Sequence, residues 1–173
     1  KAAEATGLLD LIVTLRAEPS VDRLRIDAAG LRAERRRYGP AMDVLRLHGA
    51  KDIRLHSEPD PVAGPDEELV RMTAVGLCGS DLHWFEDGGI GEDRVQEPFV
   101  LGHEMGGVVA TGPRAGERVV IEPANPCGRC SVCRAGNGNL CQQVEFCGHY
   151  PTPGGLSTFM VWPRNLLLPI PDT

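Results

Sequence analysis

Four cysteines fall within fifteen residues of this chain, at Cys127, Cys130, Cys133 and Cys141. Three stand three apart, and the fourth follows eight positions later. A structural zinc takes four thiolates at about 2.3 Å, and tight turns deliver them from spacings of this kind. Four thiolates close the coordination sphere, so the zinc read here is structural and not catalytic. Disulfides and an iron–sulfur cluster are the other chemistries open to clustered cysteines. Pairing Cys127 with Cys130, or Cys130 with Cys133, would close very small, strained loops. Cys147 follows Phe146 without a cysteine partner in view and reads as a packed thiol.

A second constellation lies upstream. It runs Gly76-Leu-Cys78-Gly-Ser80-Asp81-Leu-His83, then Gly102-His103-Glu104, with His103 placed 25 residues after Cys78. Taken singly, Cys78 reads as a small buried hydrophobe and His103 as an ordinary core or surface histidine. Together they form a mixed thiolate, imidazole and carboxylate set. Such a set leaves a coordination position for water or substrate, which is the mark of a catalytic zinc.

These side chains need a scaffold. Residues 42–48 and 53–56 read as short strands joined by a turn that contains Gly49. Val70, Met72 and Ala74 alternate with Arg71 and Thr73, the period of a half-buried strand. Residues 108–110 and 118–121 are further strands, and residues 156–162 and 166–168 close the series. The Cys78 and His103 segments fall between strands, on glycine-rich stretches read as sharp turns. Short strands broken by Gly and Pro predict a mainly β fold, a small barrel or sandwich. Residues 1–41 differ in texture. Residues 21–37 have weak helical spacing, Arg35, Arg36 and Arg37 read as a solvated charge run, and Gly39-Pro40 breaks the chain.

Composition bounds the function. Of 173 residues, 42% are hydrophobic, enough for a core. The 21 glycines and 14 prolines favour turns and short strands over long helices. A net charge of −6 offers no basic face to nucleic acid. No apolar run approaches the roughly 18 residues of a membrane span. Six cysteines, four of them in metal-like spacing, without a secretory leader, point to a reducing, cytoplasmic setting.

The two constellations in this order resemble the zinc-containing medium-chain dehydrogenases. Cys78-Gly-Ser80-Asp81 with Gly102-His103-Glu104 is most similar to the sorbitol (L-iditol), idonate and xylitol dehydrogenase branch. The resemblance covers about residues 42–173. It implies an α+β, mainly β fold: a GroES-like β-barrel catalytic domain, with a structural zinc lobe at about residues 123–145. Residues 1–41 would be an extension foreign to the family, helical in part or disordered. Met42 falls where family members usually begin, so that extension reads either as upstream sequence or as the tail of a fused domain. The turn at residues 112–116 is shorter than usual in the family.

The resemblance also implies roles. Cys78 and His103 bind the catalytic zinc, and Glu104 is a third ligand or a carboxylate just behind the ligands. Asp81 holds the zinc-binding histidine through its other ring nitrogen, or simply caps its turn. Ser80 takes the substrate proton, and His83 is the far end of the relay, reached through the cofactor ribose, or is an ordinary exposed histidine. Trp84, Phe85 and Phe146 line the substrate cleft or, on the plainer reading, fill the core. The expected reaction is oxidation of a secondary alcohol or polyol to the ketone, with hydride passing to NAD or NADP. No Gly-rich dinucleotide fingerprint follows a strand in these 173 residues. The nucleotide is therefore expected to bind mainly to a Rossmann domain absent from this chain, its contact residues are unknown, and the chain alone is expected to be inactive. The full-length enzyme is expected to be a homodimer or homotetramer acting on a small molecule, without nucleic acid or membrane. The other readings are a non-catalytic, zinc-stabilised module and a zinc-free quinone reductase.

Overall fold

A computed structural model describes residues 41–171. The helical reading of residues 21–37 and the arginine run lie outside the described residues. Twelve strands form four sheets among them, and helix is scarce. Strand β1 (Ala41–Gly49) pairs antiparallel with β2 (Asp52–Pro59) on one side and β6 (Phe99–Val100) on the other. The largest sheet has five strands. Its centre is β3 (Glu67–Gly76), β7 (Glu104–Val109) and β8 (Arg118–Ile121); β11 (Phe159–Pro163) and β12 (Leu167–Pro169) are its edges. Two small ribbons complete the set: β4 (Gly89–Ile90) with β5 (Asp93–Arg94), and β9 (Ala124–Asn125) with β10 (Glu145–Phe146).

The sequence expectation of short strands around a β core holds, with three local corrections. First, alternation along β3 does not persist to Ala74. Met72 pairs with Gly107 and Ala74 with Gly106, so Thr73 is an extra residue in the ladder. Such a bulge reverses the phase of the residues after it. Ala74 is exposed and Val75 turns inward. Second, residues 156–158 are not the first part of β11. They sew the two large sheets together: Leu45 N–H donates to Leu156 O, Leu156 N–H to Leu101 O, and Thr158 N–H to Asp43 O. Third, the Cys78 segment is not a sharp turn. It opens helix α1 (Gly79–Asp87).

Two hydrophobic clusters hold this frame. One, under the five-stranded sheet, gathers Val70, Val109, Val119, Met160, Trp162 and Cys147. The other lies between β1, β6 and α1 and gathers Val44, Leu45, Leu47, Trp84, Phe99 and Leu156. Val75 packs against both, so the strand that leads to Cys78 is anchored on two sides. Burying an aliphatic side chain stabilises by about 1.5–3 kcal/mol, which makes these clusters the main source of stability. One ionic group is also deeply placed. Glu68 on β3 is 5% exposed and meets both Arg114 and Arg164. Arg114 also bonds Glu117, tightening the short β7–β8 turn.

Candidate metal centres

The end of β3, the start of α1 and the start of β7 meet at one place. Cys78 caps α1 at its N-terminus. Two residues upstream, Gly76 pairs across the sheet with Glu104, the first residue of β7. A β carbon at Gly76 would stand 2.7 Å from Glu104 Oε2, so the carboxylate lies directly over that glycine. The ligand atoms of Cys78, His103 and Glu104 are all within 4.8 Å of one another. One cation could touch all three, and the exposed Glu104 leaves the group open on one side.

Asp81 ties the group together from beneath. It is 2% exposed. Its Oδ2 accepts the Cys78 backbone N–H at 3.0 Å, and its Oδ1 accepts the Gly102 N–H at 3.1 Å. The same Oδ1 stands 3.7 Å from His103 Nδ1. One carboxylate thus fixes the backbone on both sides of the group and faces the rear nitrogen of the histidine. Asp81 thus caps the helix, and its Oδ1 faces His103 Nδ1 without reaching hydrogen-bond distance.

Gly102 makes that geometry accessible. Its φ of +94° lies in the left-handed region, and a β carbon there would come within 2.7 Å of Val75 Cγ1. Gly154 crosses the same point so closely that its β carbon would sit 2.3 Å from Gly102 O. Residue spacing does not reveal these close backbone approaches. Their one signal is the paired glycine at Gly154-Gly155, which a strand pattern alone leaves unexplained.

Ser80 and His83 lie three residues apart on α1, hence on one face of the helix. His83 is exposed, with Nδ1 3.2 Å from Asp87 Oδ2. It lines a small cavity of about 330 Å³ with Asp87, Ile90 and Arg94. The three aromatics separate. Trp84 is a core residue, 2% exposed, edge-on to both Phe99 and His149. Phe85 packs partly against the same cluster. Phe146 alone reaches the metal group, its half-exposed ring 5.5 Å from the His103 ring. A larger cavity of about 690 Å³ opens beside His103 and Glu104. Its walls are Thr73, Ala74, Val120 and Ile170, and none of the three aromatics lines it.

The four-cysteine lobe stands on the β9–β10 ribbon. Cys127, Cys130, Cys133 and Cys141 bring their sulfurs within 4.8 Å of one another, and none forms a disulfide. Helix α2 (Ser131–Arg134) and a 3-10 turn (Gly138–Leu140) supply the bends. The Cys133 N–H points at Cys130 Sγ at 3.4 Å, and the Gln143 N–H at Cys141 Sγ at 3.3 Å. Backbone donors to sulfur favour the thiolate that a metal needs. The amides of Arg129 and Cys130 pull the Cys127 thiol down to about 6, while burial and the neighbouring thiols push Cys133 up to about 12. Cys147 lies apart, fully buried in the core.

Comparison with known proteins agrees with this arrangement. Residues 64–172 match the alcohol dehydrogenase GroES-like domain. Sorbitol dehydrogenase of Bacillus subtilis is 38% identical over 138 residues, which is 76% of this chain and 39% of that protein. L-idonate 5-dehydrogenase of Vitis vinifera is 40% identical over 132 residues, 73% of this chain and 36% of that protein. Among solved structures, an Escherichia coli oxidoreductase/dehydrogenase of unknown specificity superposes with a TM-score of 0.69 at 36% identity, covering 77% of this chain and 41% of its own. The chain therefore spans about two fifths of the length of the relatives it matches. With the sheet order, the cysteine lobe and the Cys78–His103–Glu104 group all in place, the chain belongs to the alcohol dehydrogenase GroES-like domain family.

Proposed function

We propose that this chain is the metal-bearing catalytic domain of a zinc-dependent dehydrogenase that oxidises a secondary alcohol or polyol to the ketone, with NAD or NADP as hydride acceptor. The observation that carries the reading is the convergence of Cys78, His103 and Glu104 within 4.8 Å, open on one side and backed by the buried Asp81. The donor set suits zinc: one thiolate, one imidazole and one carboxylate. Relatives named sorbitol dehydrogenase, D-xylulose reductase and L-idonate 5-dehydrogenase point to a polyol as the substrate class.

Zinc at this group would supply Lewis-acid polarisation of the alcohol oxygen, and the nicotinamide would take the hydride. The rest falls to the chain itself. Asp81 keeps His103 in the tautomer that leaves Nε2 free for the metal. Ser80 accepts the hydroxyl proton, and His83, three residues on along the same helix face, passes it to solvent. The exposed Phe146 ring provides an apolar wall beside His103. Per turnover the alcohol loses one hydride and one proton, so a ketone, a reduced nicotinamide and a proton result. The second metal, held by Cys127, Cys130, Cys133 and Cys141, has no open position and is structural.

Residues 42–173 are then the catalytic domain, with the lobe at about residues 123–145. The nucleotide is held mainly by a dinucleotide-binding domain outside this stretch. The full-length protein is a cytoplasmic homodimer or homotetramer. The unbonded thiols are consistent with a reducing compartment, and no helix among the described residues is long and apolar enough to cross a membrane. A dehydrogenase assay on the full-length protein tests the proposal. Polyol-dependent reduction of NAD or NADP should be abolished by Cys78→Ser and by His103→Gln. Turnover undiminished in both variants would refute it.

A further inference from the structure

One carboxylate lies outside both metal centres and beside the proton path. Asp87 is the last residue of α1, and Gly88, with φ of +68°, ends the helix directly after it. Asp87 Oδ2 stands 3.2 Å from His83 Nδ1, one helical turn back on the same face. Both residues line the cavity of about 330 Å³ beside β4 and β5. Stability does not account for Asp87. A helix C-terminus favours cations, yet α1 ends on Glu86 and Asp87 with no basic residue in its last turn. The two side chains are 69% and 67% exposed, and an ion pair so exposed contributes little. The neighbouring charges are otherwise engaged. Glu86 meets Lys51 at 3.0 Å. Arg94, on the wall of the same cavity, donates from Nη1 to Gly91 O and Asp93 O at 2.6 and 2.8 Å, closing the β4–β5 turn. Among the described residues, Asp87 is left to His83 alone.

We propose that Asp87 is a positioning residue of the proton relay: it holds the His83 ring with Nδ1 protonated and Nε2 free to accept the proton passed on from Ser80. The assignment rests on the relay role proposed for His83. An ionised carboxylate only accepts hydrogen bonds, so the nitrogen facing it carries the hydrogen. In the neutral ring the lone pair then falls on Nε2, which has no partner among the described residues. The same bond restrains the ring about its terminal torsion, otherwise a soft coordinate. When Nε2 takes a proton, the Asp87 charge stabilises the imidazolium that forms. Nε2 then gives that proton to solvent, and the Nδ1 hydrogen stays in place throughout. One proton enters and one leaves, so the pair returns to its starting state after each turnover.

The test has two arms. In the first, the zinc-replete chain is labelled with ¹⁵N at histidine and read by NMR at about pH 9, where histidine rings are neutral. His83→Gln identifies the His83 signals. The parent should show His83 with hydrogen on Nδ1, Asp87→Ala should lose that preference, and Asp87→Glu should regain part of it. In the second arm, Asp87→Ala in the full-length protein should lower kcat roughly tenfold, with KM and zinc content within about twofold of the parent. Its unfolding midpoint should not fall, whereas a merely stabilising ion pair would lower it. The inference is overturned if His83 keeps one tautomer in parent and Asp87→Ala alike, or if Asp87→Ala turns over as fast as the parent. A parent inactive on every polyol sinks the dehydrogenase reading and the relay with it. An unchanged tautomer in an active enzyme sinks the role of Asp87 alone.

Discussion

Asp81 shows how much one buried carboxylate can organise. Its two oxygens hold the backbone at Cys78 and at Gly102, and one of them also faces His103. Asp81→Asn keeps the size and one acceptor but loses the charge behind the imidazole. Zinc affinity at the Cys78 group should then drop about 10- to 100-fold, while the four-cysteine site keeps its metal. Competition with a chromophoric chelator reads both sites; equal retention at the two would exclude the role given to Asp81. Cys147 makes the opposite case, a thiol that packing alone explains. Burial pushes it from near 9 up to about 12. Because the folded state holds the proton more tightly, its contribution is complete below about pH 9 and is lost as pH rises towards 12. In zinc-replete protein, stability should fall with pH by about 1.4 kcal/mol per unit more steeply in the parent than in Cys147→Ala. Denaturant melts over that range measure the difference; parallel curves would contradict it. The sequence conveyed that Cys147 was set apart from the other cysteines. It did not convey that Trp84 was, because an aromatic beside a motif looks the same whether it faces a cleft or a core.

The elements carry the site through details that pattern reading passes over. The bulge at Thr73 reverses the phase of β3 just before Cys78, turning Val75 inward and Ala74 outward. Removing Thr73 takes out only the unpaired residue: Ala74 still meets Gly106 and Val75 still meets Met105, so Val75, Gly76 and Cys78 keep their faces. The deletion variant should fold about the same two cores and keep both metals. Elemental analysis yielding one zinc atom would disprove this. The Glu68 network sits on the same strand, far along from the bulge. Glu68→Ala leaves Arg164 without its carboxylate and Arg114 with Glu117 alone, and a loss of about 2–3 kcal/mol is expected, below the full cost of a buried pair because both guanidiniums are partly solvated. Urea unfolding checks it. Strands were legible where apolar residues run together or alternate over several positions, as at residues 119–121 of β8 and residues 70–72 of β3. Two-residue strands such as β6 and β9 carry too few residues for any period to show. Helix α1 escaped for another reason: its buried face is Asp81 and Trp84, while Leu82 is exposed. An inward carboxylate and an outward leucine invert the pattern by which a helix is recognised.

Over the whole molecule the two metal centres depend on different support. The Cys78 group rests on β3, β7 and α1, elements pinned by both hydrophobic clusters. The lobe has almost nothing of the kind: between Cys127 and Cys141 only Cys141 is buried, and Leu140 is 65% exposed. With so little apolar burial, the metal must supply what a core supplies elsewhere, as in small zinc modules that unfold when it is removed. The lobe is not isolated, however. Its base strand β10 ends at Phe146, whose ring stands tilted beside that of His103, and Cys147 N–H then bonds Pro123 O. Loss of the lobe metal should therefore act in two stages. In Cys127→Ser, amide exchange should rise across residues 127–145 while β1, β3 and β7 keep their protection. Phe146 should loosen with the lobe, so His103 loses its aromatic neighbour without losing its metal. Hydrogen-exchange mass spectrometry with zinc analysis separates these effects. The expected result is one zinc retained per chain and faster exchange confined to the lobe. Uniform exchange through β3 and β7 would mean that the lobe supports the entire fold, and retention of both zinc atoms would mean that Cys127 is not a ligand.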